Sequence, residues 1–246
     1  MKSSFSIRES LRFGWDTTRA NSAIVFQVVL TLLALQIAGS IIQKVLAHTL
    51  LGGLGSAVIF ILNIFVSVGA TVISLKLARG EEVAYREIIP DWRLTLRFMV
   101  AGIIAAIVVF APLVLAGLVS IILLAATFGH IAGTAQEFVV HMHSIQFWVA
   151  ACLVLVGLAA TLYLAVRLSM VRFVILDSPA ILQSMRVSRR MTQGIFWKLL
   201  GFLFIVAILN IIGFAALFVG VLLTLPVSLI AYAHIYDKLK PVELQG

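Results

Sequence analysis

The chain has 246 residues, of which 62% are hydrophobic and only 11% charged, and its formal net charge is +8. A soluble domain carries about 25% charged residues, so this chain lacks the polar surface that water requires, and lipid must surround it. Its pI near 10.2 and mean hydropathy of +1.15 do not point to nucleic acid, because the basic residues flank apolar runs, as orientation in a membrane requires. Anionic lipid headgroups are the expected counter-charge.

At about 20 residues per span plus connections, the length suits one integral membrane domain, 1–246, with six spans. The N-terminus does not read as a cleavable signal, since its first apolar run is too long. Residues 6–20 predict a short interfacial helix. Ser6 and Glu9 form an S-x-x-E capping box, and Ile7, Leu11 and Trp15 recur at helical spacing among Arg8, Arg12 and Arg19. Ala23 to Val45 is the first span. Gly52-Gly53 makes a turn, and Leu54 to Leu77 is the second span, with Lys76 and Arg79 snorkelling out at its end.

A charged segment with Pro90 and Trp92 leads to a third span, Leu96 to about Ala126, which Pro112 is expected to kink. A polar loop follows, then a fourth span, Ile145 to Leu168. Asp177-Ser178-Pro179 signals a helix start, with Ser178 as cap. The basic segment Arg186, Arg189, Arg190 then runs into Phe196-Trp197-Lys198. The uncharged run from Leu199 to Ala233 is too long for one helix across about 30 Å, so it splits into two spans near Phe218 to Val221, with Gly213 and Gly220 offering the break.

Of the 18 Lys and Arg residues, only Lys44 falls on the side of the first, third and fifth connections. The positive-inside rule therefore puts both termini in the cytoplasm of a cell (inner or plasma) membrane. The fold class expected is an all-α membrane protein of six transmembrane helices in three hairpins, each preceded by a cytoplasmic interfacial amphipathic helix.

Sliding the chain by 174 residues sets Glu9-Ser10-Leu11-Arg12 on Gln183-Ser184-Met185-Arg186 and Thr18 on Thr192. The segment from Tyr85 to Phe98 has the same plan with less identity. Repeat units of 6–79, 82–175 and 178–240 follow, parallel because each crosses the membrane twice. Ser184-Met185-Arg186 through Thr192, Phe196-Trp197-Lys198-Leu199-Leu200, Gly220-Val221-Leu222-Leu223-Thr224-Leu225-Pro226, Ala231-Tyr232 and Tyr236 resemble a recurring bacterial membrane family. That family includes YciC-type inner-membrane proteins and the membrane domain attached to some glycerophosphoryl diester phosphodiesterases. The resemblance is sharpest over the last 60 or so residues. It implies six helical spans and lends no catalytic residue, because the phosphodiesterase activity belongs to a soluble domain outside this chain.

Three groups of residues are candidates for function. Gln36, Ser40 and Gln43 on span one, Asn63, Ser67 and Thr71 on span two, Asn210 on span five, and Thr224 with Ser228 on span six could line a polar path. Equally, they could bond across packed helices, at about 1 kcal/mol each. None of the ten Asp or Glu residues falls mid-span, which argues against proton coupling. His130, Glu137, His141 and His143 of the outer loop have zinc- or copper-binding side chains, but their spacing matches no defined metal motif. Solvated loop histidines account for them, and no metal or other cofactor is expected.

The basic face, with Arg12, Arg186, Arg189, Arg190 and Lys198 at its centre, could bind anionic lipid or an acidic membrane-protein partner. Orientation alone would also explain it. Trp15, Trp92, Trp148 and Trp197 suit a membrane belt, Gly69, Gly102, Gly157, Ala216 and Gly220 suit close helix approach, and Cys152 is a small residue of an apolar run. No P-loop, HExxH, GxSxG or GxGxxG context is present. The expectation is a non-enzymatic membrane protein that binds or organises lipid or serves as an accessory subunit. The alternative is a transporter or channel for a small solute or lipid.

Overall fold

The computed structural model describes residues 5–45, 49–128, 145–178, 180–215 and 219–241. The described chain is helical throughout, with no strand. In order, the helices are α1 (Ile7–Ala20), α2 (Ser22–Val45), α3 (Leu50–Ala78), α4 (Trp92–Phe128), α5 (Ile145–Leu168), α6 (Val171–Asp177), α7 (Ile181–Met191), α8 (Phe196–Ala215) and α9 (Val219–Leu239). A 3-10 turn, Tyr85–Ile88, lies between α3 and α4. Six helices are long and apolar enough to cross a membrane. In lipid a backbone must bond within its own segment, so uncharged runs of this length can only become helices. This chain is an integral membrane protein of all-helical fold.

Several local expectations change. Gly52 and Gly53 make no turn but sit in the first turn of α3, where the Thr49 hydroxyl accepts from the Gly52 amide at 3.1 Å. Ser6 makes no side-chain cap, and Glu9 binds Lys238 of α9 instead of closing a capping box. Ser178 ends α6 rather than starting α7, whose N-cap is Ala180. The segment before α4 is a four-residue 3-10 turn, not an interfacial helix, because Pro90 forbids the helical backbone at the residue before it. Gly80, with φ 71°, terminates α3 as a left-handed C-terminal glycine.

The chain divides into two compact units, one formed by Met1–Ala101 with Met170–Gly246 and the other by Gly102–Ser169. In the first, α1 lies along α9, and α3 packs against α2 and α9. Its core joins Val25 and Val28 of α2, Val66, Ala70, Ile73 and Leu77 of α3, Ile88, and Ile230 of α9. The α3 members recur at i, i+4, i+7 and i+11, one stripe of the helix. A second cluster stacks Phe173 on Tyr236 and sets Phe202 against Tyr232 and Phe5.

Burial concentrates toward the C-terminal ends of α3 and α9. By contrast Leu51, Leu54 and Val58 in the N-terminal part of α3, Ile37, Ile41 and Val45 in the C-terminal part of α2, and Ile211 and Phe214 near the end of α8 are exposed. Apolar exposure on that scale belongs to a surface in hydrocarbon. Because lipid tails are as apolar as these side chains, packing and hydrogen bonds hold the helices together rather than burial from water. Gly213 and Gly220 illustrate it. The uncharged run splits as expected into α8 and α9, and the two glycines let these helices approach closely: a Cβ on Gly220 would stand 2.7 Å from the Gly213 Cα.

In the second unit, a Cβ on Gly157 of α5 would meet the Ala116 Cβ of α4 at 2.6 Å and the Pro112 carbonyl at 3.0 Å. Farther along, the Ser120 hydroxyl of α4 donates to the Ala150 carbonyl of α5 at 3.1 Å. Pro112 is accommodated inside α4.

Candidate functional site

The basic face is built on α1 and α7, and the two helices solve the same packing problem. On α7, Ser184, Val187 and Ser188 are buried, and Thr192, the C-cap, is fully buried. Leu182, Arg186, Arg189 and Arg190 lie on the opposite, exposed face. On α1, Ser10, Gly14 and Thr18 are buried, while Arg8, Arg12, Trp15 and Arg19 are exposed. Ser10 and Ser184 donate their hydroxyls to the carbonyl four residues back, and so do Thr18 and Thr192. These four are the positions that a shift of 174 residues superposes. Folding the hydroxyl onto its own helix satisfies it and leaves a narrow face that another helix can approach.

The apolar face expected for α1 is therefore not its most buried one. Ile7 and Leu11 are half-buried at the flank, and Trp15 is exposed among the arginines. Gly14 makes the contact instead: a Cβ there would stand 2.5 Å from the Val227 carbonyl and 3.0 Å from the Ala231 Cβ of α9. Arg12 is exposed and lies 3.7 Å from Asp16. Trp197 and Lys198 are exposed at the start of α8.

The polar residues of the spans mostly turn back on their own helices. Asn63 donates to the Ile59 carbonyl and Thr71 to that of Ser67. Gln36 and Ser67 are exposed. Asn210 donates to the Val206 carbonyl at 2.9 Å and toward the Ser228 hydroxyl at 3.4 Å, which links α8 to α9. The loop residues His130, Glu137, His141 and His143 lie outside the described residues. Among the described residues no group of three metal-ligating side chains forms.

The sequence reading missed an ionic cluster that joins α3, α6 and α9. Arg79 donates Nη2 to Asp177 Oδ2 at 2.6 Å and Nε to Asp237 Oδ1 at 3.0 Å. Asp177 Oδ2 also accepts the Tyr236 hydroxyl at 2.7 Å and faces Lys240 Nζ at 3.1 Å. Lys76, expected to snorkel, pairs with Glu87 at 2.9 Å. Burial of the Arg79 guanidinium disfavours its charge, yet the hydrogen bonds to Asp177 and Asp237 hold its pKa above the ordinary arginine value. The signal available was Asp177 and Asp237, two of only ten acids, each just beyond an apolar run at its basic end.

No curated protein and no solved structure matches the chain. A family model matches residues 3–239, and through it the chain belongs to the protein family of unknown function DUF975.

Proposed function

We propose that this protein is a non-enzymatic, multi-pass protein of the cell membrane that binds and organises anionic lipid at its cytoplasmic face, alone or as the accessory subunit of a membrane partner. The observation that carries the reading is the two-sided construction of α7. Its small face is buried, which holds Arg186, Arg189 and Arg190 outward, and Trp197 and Lys198 are exposed at the start of the next helix, α8. A helix that presents three guanidinium groups on one exposed face suits phosphate oxygens at headgroup depth, since arginine meets phosphate with a planar fork. Arg12 on α1 gives the first unit a second such face.

Three hairpins with both termini cytoplasmic, the repeat units 6–79, 82–175 and 178–240, and kinship with YciC-type proteins belong to the same proposal. The matching hydroxyl pattern of α1 and α7 supports the repeat. The self-bonded Asn63 and Thr71 support a packing role for the polar stripes over a conducting one.

Native mass spectrometry of the protein released gently from its own membrane tests the reading. An anionic lipid or partner chain should be retained, and it should be lost on Arg186→Gln, Arg189→Gln and Arg190→Gln together. Equal retention by the triple variant would reject it.

A further inference from the structure

Where α1 turns into α2, a groove of about 510 Å³ opens against α9. Trp15, Ala23, Phe26, Leu222 and Leu223 supply apolar wall, and Arg19 supplies charge. Ligand sites range over about 300–1,000 Å³, so the space is adequate for one chain-like molecule. It would admit only about one turn of a helix, which is ~10 Å across with a 5.4 Å pitch. That is too little to dock a partner span.

Trp15, Phe26 and Leu223 are each about half exposed, so the groove communicates with the surroundings of the helices. Along apolar spans those surroundings are hydrocarbon. The Thr18 hydroxyl is already committed to the Gly14 carbonyl at 2.7 Å. Arg12, two turns earlier, has Asp16 beside it, whereas among the described residues no carboxylate lies within ion-pair distance of Arg19. An unneutralised guanidinium at the edge of a hydrocarbon-lined trough is complementary to a molecule with a negative head and an apolar tail.

We propose that this groove is a binding site for a single anionic phospholipid, one acyl chain lying against Phe26, Leu222 and Leu223 and the phosphate held by Arg19. The site rests on the membrane reading of the six spans and is separate from the lipid surface met by α7. It confers two properties that a bulk lipid shell lacks: saturation at one molecule and selectivity for headgroup charge.

The full-length protein with Trp92, Trp148 and Trp197 changed to Phe leaves Trp15 as its sole indole. In vesicles of phosphatidylcholine, phosphatidylglycerol brominated on its acyl chains should quench Trp15 saturably. Its midpoint should come at about tenfold lower mole fraction than that of brominated phosphatidylcholine, the range of one charge-assisted hydrogen bond. Arg19→Gln should bring the two lipids together, and Ala23→Leu, which narrows the groove, should abolish the saturable phase. Neutralising Arg186, Arg189 and Arg190 should leave it intact, so the failure of one lipid reading is distinguishable from that of the other. Quenching that rises linearly and equally for both lipids would overturn the site. If the triple Phe chain does not fold, native mass spectrometry of the otherwise unaltered protein decides. One phosphatidylglycerol adduct, lost in Arg19→Gln, supports the site, and an adduct distribution unchanged by that substitution overturns it.

Discussion

The carbonyl of Ile88 occupies the space that a side chain on Gly69 would need, so the segment after α3 lies directly on that helix backbone. This contact carries Ile88 into the core beside Val66, Ala70 and Ile73. It also brings the Tyr85 hydroxyl to that of Thr31 on α2, 2.6 Å away. The connection between the second and third spans is thus part of the packed unit.

Gly69→Ala should therefore destabilise the protein by about 1–3 kcal/mol, the usual cost of overpacking, because the opposing atoms are backbone and cannot rotate aside. Gly102→Ala and Gly117→Ala supply the comparison. A Cβ at either meets nothing within 4 Å, and alanine is the better helix former by about 1 kcal/mol, so both should be neutral or mildly stabilising. Thermal unfolding in detergent measures all three. Equal midpoints for Gly69→Ala and Gly102→Ala would remove the close approach from the account.

The positions of the spans were legible because lipid imposes a one-dimensional rule. A run without charges must be a helix, and its length follows from bilayer thickness. The fourth span appears as α5 at the expected Ile145–Leu168, and the first begins one residue from the expected Ala23. What one helix does to another was not legible. Gly213 and Gly220 read correctly as the break between the last two spans, but the close approach of Gly213 to Gly220 shows only in the paired backbones. Arg79 reads as a snorkelling end until Asp177, 98 positions away, comes within reach. The small face of α1 was visible as Ser10 and Thr18, but apolar periodicity drew attention to Ile7 and Leu11. In lipid, close fit outweighs apolarity.

Gly14 should behave on α1 as Gly69 does on α3. A methyl group at Gly14 meets the Val227 carbonyl and Ala231, so Gly14→Ala should lift α1 off α9 while leaving the spans in place. Limited proteolysis after Arg8, Arg12 or Arg19 should then accelerate several-fold, with little change in the unfolding of the remainder. Ser188 holds the equivalent place on α7 under the 174-residue shift, and it is fully buried. Ser188→Leu should likewise loosen α7, and unaltered cleavage after Arg186 would count against equivalent roles.

Glu9 and Lys238 tie the far end of the same contact. The hydrogen bond from Lys238 and its positive charge hold the Glu9 carboxyl below its ordinary value of 4.5. A carboxylate whose pKa is lowered by folding stabilises the folded state above its unfolded pKa, and loses that contribution as pH falls through the folded value. The attachment of α1 should thus be unchanged from neutral pH to about pH 5 and weaken below 4.5. Hydrogen exchange of the α1 amides should show this step in the native chain and lose it in Glu9→Gln. A step of equal size in both would assign it to another acid. Because the pair is exposed, salt should blunt the effect.

Asp177 is the centre of the ionic cluster, since one of its oxygens meets Arg79, Tyr236 and Lys240. Its side chain is 12% exposed, against 38% for Asp237, so solvent compensates far less for its loss. Asp177→Asn should cost about 2 kcal/mol, because it leaves Arg79 and Lys240 short of counter-charge in a poorly solvated place. Asp237→Asn should cost about 0.5–1 kcal/mol, as partly exposed pairs do. Arg79→Lys should lose most of the stabilisation as well, since one ammonium cannot span two carboxylates as the fork does. A double-mutant cycle between Arg79 and Asp177 isolates the pair, and Arg79→Met with Asp177→Asn should be less destabilising than the sum of the single changes. Strict additivity would mean that α3 and α6 are held together by packing alone, with the charges as bystanders.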